Sequence, residues 1–190
     1  MARTDTRSRI LKAANRLFYA EGIRAVSVDA VAERAGVTKK TLYYHFRSKD
    51  DLAAAYLESR DQPNLAALRK AFDDADGDFA DKVFAMFESV ARASKRPGWR
   101  GCGFLRTAGE LANLPGHPAI RAGIAHKKRF EAWLAEACRS AGLDRPRTIA
   151  RQLVILMDGA FAGSLLHRDP DYVIEAGRAA RVLIADRLPA

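Results

Sequence analysis

Short groups of helix-breaking residues divide this chain into segments of helical length, and this spacing constrains the fold more than any other feature. The breaks fall at Gly22, Gly36, 73–77, 114–118, 142–146 and 168–170. Between them apolar residues recur with helical periodicity, and alternation of period two is absent. The sequence therefore predicts an all-α fold of about nine helices. They are expected at 5–21, 27–35, 38–45, 49–73, 78–95, 102–113, 118–141, 146–167 and 171–188.

The first three predicted helices are short and amphipathic. Gly22 and Gly36 are suited to ending the first and second, and Ser27 and Thr38 to capping the second and third. Ser48, with Asp51 three residues on, resembles a capping box for the fourth. The tight connection at 35–38 has the length expected of a helix-turn-helix. The residues expected to close its small core are Ile10, Ala14, Leu17, Phe18, Val28, Val31, Ala32, Ala35, Leu42 and Phe46.

The positive charge of the chain is concentrated near its N-terminus. The whole chain carries a formal net charge of +9. Residues 1–50 hold 11 Lys and Arg against 5 Asp and Glu, and residues 51–190 hold 21 against 18. A basic head on a nearly balanced body is typical of a protein that binds a polyanion. A solvated basic surface without a partner is the alternative.

The third predicted helix begins with the wrong charge for its own dipole. Lys39 and Lys40 lie in its first turn, where an anion would be stabilising. Lys49 opens the fourth helix in the same way. A negatively charged partner at these helix ends explains the pattern, since lysine and free amides together bind phosphate. The alternative is that Tyr43 and Tyr44 are packing residues and that the lysines are only solvated.

The stretch from Val31 to Lys49, VAERAGVTKKTLYYHFRSK, resembles the signature of the tetracycline-repressor (TetR) family, and the resemblance extends over residues 7–57. It implies a DNA-binding domain at 1–50 and a helical effector-binding and dimerisation domain at 51–190. It also implies a repressor that leaves DNA when a small molecule binds. By position, the residues facing base edges or nearby backbone are Lys39, Lys40, Thr41, Tyr43 and Tyr44. Those expected to contact phosphates are Ser27, Thr38, His45 and Lys49. The arm Met1-Ala2-Arg3-Thr4 is a further candidate for a minor groove.

The last two predicted helices carry faces of small residues. Each mid-helix glycine is unfavourable by roughly 1 kcal/mol relative to alanine, so their presence indicates close approach of another helix. The family resemblance implies that these helices pair with those of a second subunit in a four-helix bundle. Packing within one chain is the alternative. The predicted interface residues are Gly159, Gly163, Leu166, Ala176, Ala180 and Leu183.

The body also holds most of the large apolar side chains. Aromatic residues and methionine from several helices are suited to lining an apolar pocket, but from the residues alone a plain core is the favoured interpretation. Given the resemblance, we expect an effector pocket in the body. The predicted lining residues are Phe84, Phe87, Trp99, Phe104, His126, Phe130, Trp133, Met157 and Phe161.

Other classes of function have little support in the sequence. The four histidines lack metal-ligand spacing, and no nucleophile motif or phosphate-binding loop occurs in a suitable context. We therefore expect no metal, no cofactor and no enzymatic activity. No run of eighteen apolar residues occurs, so no membrane span is predicted, and the two cysteines fit a cytoplasmic protein.

Two alternatives compete with the function that the sequence favours. One is a helical small-molecule-binding protein or enzyme with an incidental basic N-terminal domain. The other is a non-specific nucleoid-type DNA binder, which would need its charge spread broadly rather than on a compact reading helix. The favoured function is a ligand-responsive repressor that binds an inverted-repeat operator as a homodimer.

Overall fold

The protein is described by a computed structural model that covers residues 3–185 and residue 187. Met1 and Ala2 of the predicted N-terminal arm lie outside the described residues, as do the side chains of Arg3 and Thr4. The described part of the chain is helical and contains no strand, which confirms the predicted fold class. The helices are α1 Arg3–Glu21, α2 Val28–Ala35, α3 Lys39–His45, α4 Lys49–Asp73, α5 Phe79–Ser94, α6 Gly103–Glu110, α7 Pro118–Ser140, α8 Pro146–His167 and α9 Asp171–Ala185.

Most helix ends lie within two residues of the predicted positions. The main difference inside the described residues is α6, which ends at Glu110 instead of continuing to residue 113. The α9 helix is described as far as Ala185, and residues 186 and 188 of its predicted range lie outside the described residues. Residues 111–113 form a turn, in which the backbone N–H of Leu114 donates to the carbonyl of Leu111 at 2.8 Å. Pro115 and Gly116 follow at once, so the helix tightens before it stops.

The helices form two compact units that divide the chain differently from the predicted boundary after residue 50. The first comprises the residues up to Asp61 together with Gly103–Ala125. The second comprises Gln62–Cys102 and the residues from His126 onwards. The first unit therefore includes all of α6 and the start of α7, which are remote in sequence from the N-terminal helices. No local pattern in residues 1–50 indicates this addition.

The core of the first unit contains most of the predicted apolar residues, whereas Leu17 and Val28 are only partly buried. Ile10, Ala14, Val31 and Leu42 are fully buried. Phe18 is buried as well, and its ring meets that of Tyr56 on α4 edge to face at 5.7 Å. The α4 helix thus completes a core that the first three helices begin.

The core of the second unit is built from α4, α5, α7, α8 and α9. A close approach between α5 and α9 organises it. A Cβ atom on Gly177 of α9 would lie 2.8 Å from Cβ of Phe87 and 2.9 Å from Cδ2 of Phe84. Glycine is therefore required here to let the two helices pack.

By length and composition alone, α8 is apolar enough to cross a membrane. In the structure one face of this helix lies in the core, where Ile149, Leu153 and Met157 are buried. Asp158 on the same helix forms an ion pair with Lys127 of α7. Core helices of soluble proteins have these properties, so the hydropathy of α8 is weak support for a membrane span.

Candidate nucleic-acid interface

Helices α2 and α3 are joined by three residues and have well-formed caps. The backbone N–H of Ala30 donates to Oγ of Ser27 at 3.0 Å, and that of Thr41 donates to Oγ1 of Thr38 at 3.1 Å. Between the helices Gly36 is left-handed, with φ at 63°. The predicted caps and the predicted turn are confirmed, and together they produce a helix-turn-helix.

The turn between α2 and α3 is fastened by an arginine of α1. Nη2 of Arg9 donates to the carbonyl oxygens of Ala35 at 2.6 Å and Gly36 at 3.1 Å. The guanidinium carries its positive charge to the C-terminus of α2, where the helix dipole is negative. The pairing spans 26 residues, so no local spacing in the sequence indicates it.

The outer surface of α3 exposes most of the residues predicted to face DNA. Lys39 and Lys40 are exposed, and Tyr43 and Tyr44 are 42% and 67% exposed. Only Leu42 of this helix is fully buried. The alternative role of Tyr43 and Tyr44 as packing residues in this chain is therefore not supported by their exposure. Two large exposed rings beside two exposed cations are suited to contacting the edge of a base and a phosphate.

Lys39 is held by an acidic partner that the sequence reasoning did not assign. Nζ of Lys39 lies 3.0 Å from Oδ2 of Asp29, and both side chains are exposed. This hydrogen bond, with the charge of Asp29, raises the pKa of Lys39. Asp29 also lies in the first turn of α2, where an anion is favourable. The unfavourable position of Lys39 at the start of α3 is thus partly offset by the preceding helix.

Lys49 lies at the start of α4, as predicted, and its ammonium faces a turn in the first unit. Nζ of Lys49 donates to the carbonyl of Arg24 at 3.3 Å. Ser48 caps the helix, since the N–H of Asp51 donates to its Oγ at 3.0 Å. Ser27 and Thr38 are exposed, whereas Thr41, His45 and Lys49 are half-buried. All nine predicted DNA-contacting residues thus lie on α3 or at the start of a neighbouring helix of one unit, and none is fully buried.

The residues predicted for the effector pocket are divided between the two units. Phe104 is buried in the first unit, and the other eight belong to the second. Phe87, Phe130 and Met157 are buried in its core, and Phe84 and Phe87 pack closely against Gly177. His126 is buried, and Trp99 is half-buried. The packing role of Phe84 and Phe87 is now defined, and an effector-binding role stays a prediction.

Two aromatic pairs of the second unit join residues that are both predicted to line the effector pocket. The rings of Trp99 and Phe161 stack at 6.5 Å, and those of Phe130 and Trp133 stack at 6.1 Å. Ser164 lies one turn beyond Phe161 and is 1% exposed. Its hydroxyl has no hydrogen-bond partner among the residues that the structure describes.

The residues predicted for the dimer interface occupy different environments. Leu166 is 78% exposed, and a side chain added at the exposed Gly159 would meet open space. At Gly163 a Cβ would lie 2.8 Å from Cδ1 of Tyr172, so this glycine serves the packing of α8 against α9. Ala176 and Leu183 are partly buried against the core.

Ala180 corrects the interface prediction. It is 0% exposed and belongs to the core of its own chain, where its small side chain serves the packing of α9. A fully buried residue has no surface to offer to a second subunit. Two other apolar residues of α8 and α9, Ile155 and Val182, are 63% and 64% exposed, and the sequence analysis assigns them no role. Ile155 precedes the exposed Gly159 by one helical turn, so helical spacing on α8 indicates it.

This chain resembles known proteins both in the sequence of its N-terminal part and in its whole fold. Residues 10–56 match the family described as bacterial regulatory proteins, tetR family. The chain is 36% identical to SCO4454, a TetR-family transcriptional regulator of Streptomyces coelicolor, with a TM-score of 0.84 over 96% of each chain. The reduced form of NemR from E. coli shares the fold, with a TM-score of 0.83 at 21% identity over 93% of this chain and 95% of that one.

Among curated relatives the similarity is confined to a shorter stretch. The chain is 36% identical over 74 residues to the HTH-type transcriptional regulator TtgR of Pseudomonas putida. The match covers 38% of this chain and 35% of TtgR. The chain thus aligns with about a third of the length of this relative.

Proposed function

Because the chain belongs to the TetR family of transcriptional regulators, we propose that it is a cytoplasmic repressor that binds an inverted-repeat operator as a homodimer. A small molecule bound in its helical body releases it from DNA. In this proposal residues 1–50 bind DNA, and residues 51–190 bind the effector and the second subunit. The alternative is a helical small-molecule-binding protein or enzyme whose basic N-terminal domain is incidental.

The exposed surface of α3 is the observation that carries the proposal. On α3 only Leu42 packs into the small core of the first unit. The helix exposes two cations, Lys39 and Lys40, and two phenol rings, Tyr43 and Tyr44. A helix of this kind, after a three-residue turn, is the element that enters a major groove. An incidental basic domain gives no reason for two large exposed tyrosines beside two exposed lysines.

The homodimer is supported by an apolar stripe on α8. Ile155, Gly159, Ala162 and Leu166 are exposed and follow one another at helical spacing. On α9, Val182 is exposed as well. A second copy of this chain, packed through the same helices, would cover these side chains and form a four-helix bundle. Such a dimer would present two α3 helices to two half-sites, which is the reason for expecting an inverted repeat.

The proposed effector site lies among the aromatic residues of the second unit. The rings of the stacked pair Trp99–Phe161 are both half-buried and offer flat apolar surface. The buried hydroxyl of Ser164 lacks a partner among the described residues and would supply a polar contact. An apolar small molecule with one hydrogen-bonding group fits this chemistry.

Selection of bound fragments from a random duplex library, with the full chain, tests the proposal. We expect recovery of a palindromic sequence whose half-site centres lie about one helical turn apart, roughly 34–36 Å, or somewhat more. Binding is then measured at two salt concentrations against a scrambled duplex. A carrier or enzyme retains no fragment, whereas a nucleoid-type protein retains every fragment and weakens uniformly with salt.

The effector arm of the proposal has its own measurement. Both tryptophans of the chain lie in the second unit, so a molecule that binds there should change the intrinsic fluorescence. The same molecule should release the selected duplex over the same concentration range. If small molecules change the fluorescence but none of them changes DNA binding, the protein binds DNA without control by an effector.

A further inference from the structure

The turn between α1 and α2 is held by residues that lie about ninety positions further along the chain. The backbone N–H of Arg24 donates to Oε2 of Glu110 at 3.0 Å. The guanidinium of the same residue donates from Nη2 to Oδ1 of Asn113 at 2.5 Å. Glu110 ends α6 and Asn113 lies in the turn after it. Both the main chain and the side chain of Arg24 are therefore tied to this segment.

Glu110 also covers the start of the turn. Gly22 has φ at 95°, and a Cβ atom on it would lie 2.7 Å from Oε1 of Glu110. Any larger residue at position 22 would thus be strained and would displace the carboxylate. The turn is shaped to receive Glu110, so the contact is a packed one as well as a hydrogen bond.

A second tie reaches the start of α4. Nε2 of His117 lies 3.1 Å from Oδ1 of Asp50, and the histidine side chain is 6% exposed. Nδ1 of His117 accepts from the backbone N–H of Ala119 at 3.1 Å. Because Nδ1 is the acceptor, the ring proton is on Nε2 and is donated to Asp50. His117 therefore caps α7 with one nitrogen and holds α4 with the other.

These ties reach the two segments that carry Ser27 and Lys49, which the family resemblance predicts as phosphate contacts. Ser27 follows the Arg24 turn by three residues, and Lys49 directly precedes Asp50. Lys49 also donates to the carbonyl of Arg24, and this hydrogen bond joins the α1–α2 turn directly to the start of α4. Glu110 and His117 thus hold the two backbone segments that carry Ser27 and Lys49.

We infer that Glu110 and His117 are positioning residues for DNA binding, which hold the α1–α2 turn and the α4 N-terminus in the conformation that grips phosphate. The inference rests on the proposed function. It assigns to the segment 103–125 a part in the DNA-binding head, although that segment lies outside the helix-turn-helix. Neither residue needs to touch DNA for this role.

The sign of the effect separates positioning from electrostatics. Glu110 carries a negative charge, and removing a negative charge from a DNA-binding unit should by itself strengthen the attraction to phosphates. If Glu110 positions the turn, its removal should weaken binding instead. The two explanations predict opposite changes, so one variant distinguishes them.

The first experiment compares Glu110→Ala with Glu110→Gln in the full chain. The probes are the duplex recovered from the random library and a scrambled duplex of the same length. Glutamine keeps an oxygen that can accept from Arg24, whereas alanine does not. We expect Glu110→Ala to lose about three- to thirty-fold in affinity for the selected duplex, the range of coupling seen for residues that act indirectly. Glu110→Gln should stay within about twofold of the unmodified chain at the same salt concentration.

The matched control is Glu131→Ala. Glu131 also accepts from an arginine of another helix, Arg151, at 2.9 Å, but it lies in the second unit. Its loss should leave affinity for both duplexes unchanged. If Glu110→Ala binds as tightly as the unmodified chain, or more tightly, the positioning role is wrong.

The second experiment is a cycle of His117→Ala and Asp50→Ala. His117→Ala should weaken binding to the selected duplex when Asp50 is present. If His117 acts through Asp50, the same change should have no further effect in the Asp50→Ala background. Equal losses in both backgrounds would show that His117 does not act through α4 and would overturn this half of the inference.

Amide hydrogen exchange provides a readout that does not need DNA. The Arg24 amide should exchange faster in Glu110→Ala and at the original rate in Glu110→Gln. If the exchange rate of the Arg24 amide is unchanged in Glu110→Ala, the contact between Glu110 and the turn is contradicted, whether or not the chain binds DNA. If instead the unmodified chain selects no duplex, only the proposed function is refuted. Should Glu110→Ala fail to fold, the exposed Asn113 allows Asn113→Ala to be used instead. Removing its oxygen should reduce affinity for the selected duplex at least about twofold, and no reduction counts against the inference.

Discussion

At the scale of single residues, the two lysines proposed to meet DNA are not equivalent. Lys39 lies on α3, the helix expected to enter the groove, and forms an ion pair with Asp29 of α2. Lys49 lies at the start of α4 and donates to the backbone carbonyl of Arg24. A phosphate contact positions the protein without reading sequence, and a contact to a base edge discriminates between sequences. The two residues should therefore affect specific and random DNA differently.

We expect Lys49→Ala to weaken binding to the selected and the scrambled duplex alike and to reduce the salt slope by about one unit. Lys39→Ala should cost about 1–3 kcal/mol on the selected duplex, and less on the scrambled one, if it contacts a guanine edge. Titrations of both duplexes at several salt concentrations measure these effects. If Lys39→Ala lowers the affinity for both duplexes by the same factor, Lys39 on α3 does not discriminate between base sequences.

Lys70→Ala is the matched control for Lys39→Ala. Lys70 also forms an exposed ion pair with an aspartate, Asp74 at 2.7 Å, and this partner likewise raises its pKa. It lies in the second unit. Exposed pairs contribute little to stability, so both variants should fold normally, and only Lys39→Ala should affect DNA binding.

Cys138 leads to a prediction about alkaline pH. Burial raises the pKa of its thiol to about 11. An unfolded cysteine ionises near pH 8.5, so between these values the folded state binds more protons than the unfolded state. The free energy of unfolding should consequently fall as the pH rises from about 8.5 to about 11.

Denaturant titrations at several pH values between 8 and 10.5 measure this decline. Cys138→Ala should show a smaller decline than the unmodified chain, whatever its stability at pH 8. Parallel pH profiles for Cys138→Ala and the unmodified chain would contradict the assignment.

At the scale of the elements, glycines of similar appearance in the sequence have different roles. Gly177 on α9 is buried against Phe84 and Phe87 of α5, whereas a side chain at Gly123 on α7 would meet open space. Both are helical. Helix propensity favours alanine at both positions, but packing opposes it only at Gly177.

Gly177→Ala is therefore expected to lower the free energy of unfolding by about 1–3 kcal/mol through overpacking of the α5–α9 contact. Gly123→Ala should raise it by about 0.5–1 kcal/mol, because alanine is the better helix former. Denaturant unfolding of the two variants at one protein concentration measures both changes. Stabilisation by Gly177→Ala would show that the two helices can separate without loss.

At the scale of the whole molecule, the exposed stripe of α8 is proposed to join two chains. Gly159 lies within the stripe and has room for a side chain in one subunit, whereas Ala180 is fully buried. Substitutions by arginine at these positions should therefore fail in different ways. The first blocks a neighbouring subunit, and the second disrupts the core of its own chain.

Sedimentation should show a dimer for the unmodified chain at micromolar concentration and a folded monomer for Gly159→Arg. Circular dichroism should show loss of cooperative folding for Ala180→Arg, since a buried charge is left unpaired. Gly123→Arg adds the same charge at another open helical position and should remain dimeric. A dimeric Gly159→Arg would place the interface elsewhere.

Local features of the fold could be predicted from the sequence because they depend on neighbours in the chain. The caps at Ser27 and Thr38 and the left-handed Gly36 each act within one helical turn, so residue type and spacing suffice. The apolar residues of the small core, up to Leu42 and Phe46, follow likewise from helical periodicity. The candidate reading helix was found for the same reason, since its exposed residues occupy the positions that a small core leaves free.

What the sequence determined by itself was thus the number and type of helices, the helix-turn-helix and the side chains that it exposes. Only the tertiary structure decided that α6 belongs to the first unit, that Glu110 holds Arg24, and that Ala180 lies inside while Ile155 lies outside. These outcomes depend on contacts between residues far apart in sequence. Helical periodicity specifies an apolar face but not the helix that covers it, because burial is non-directional and several partners satisfy it equally well.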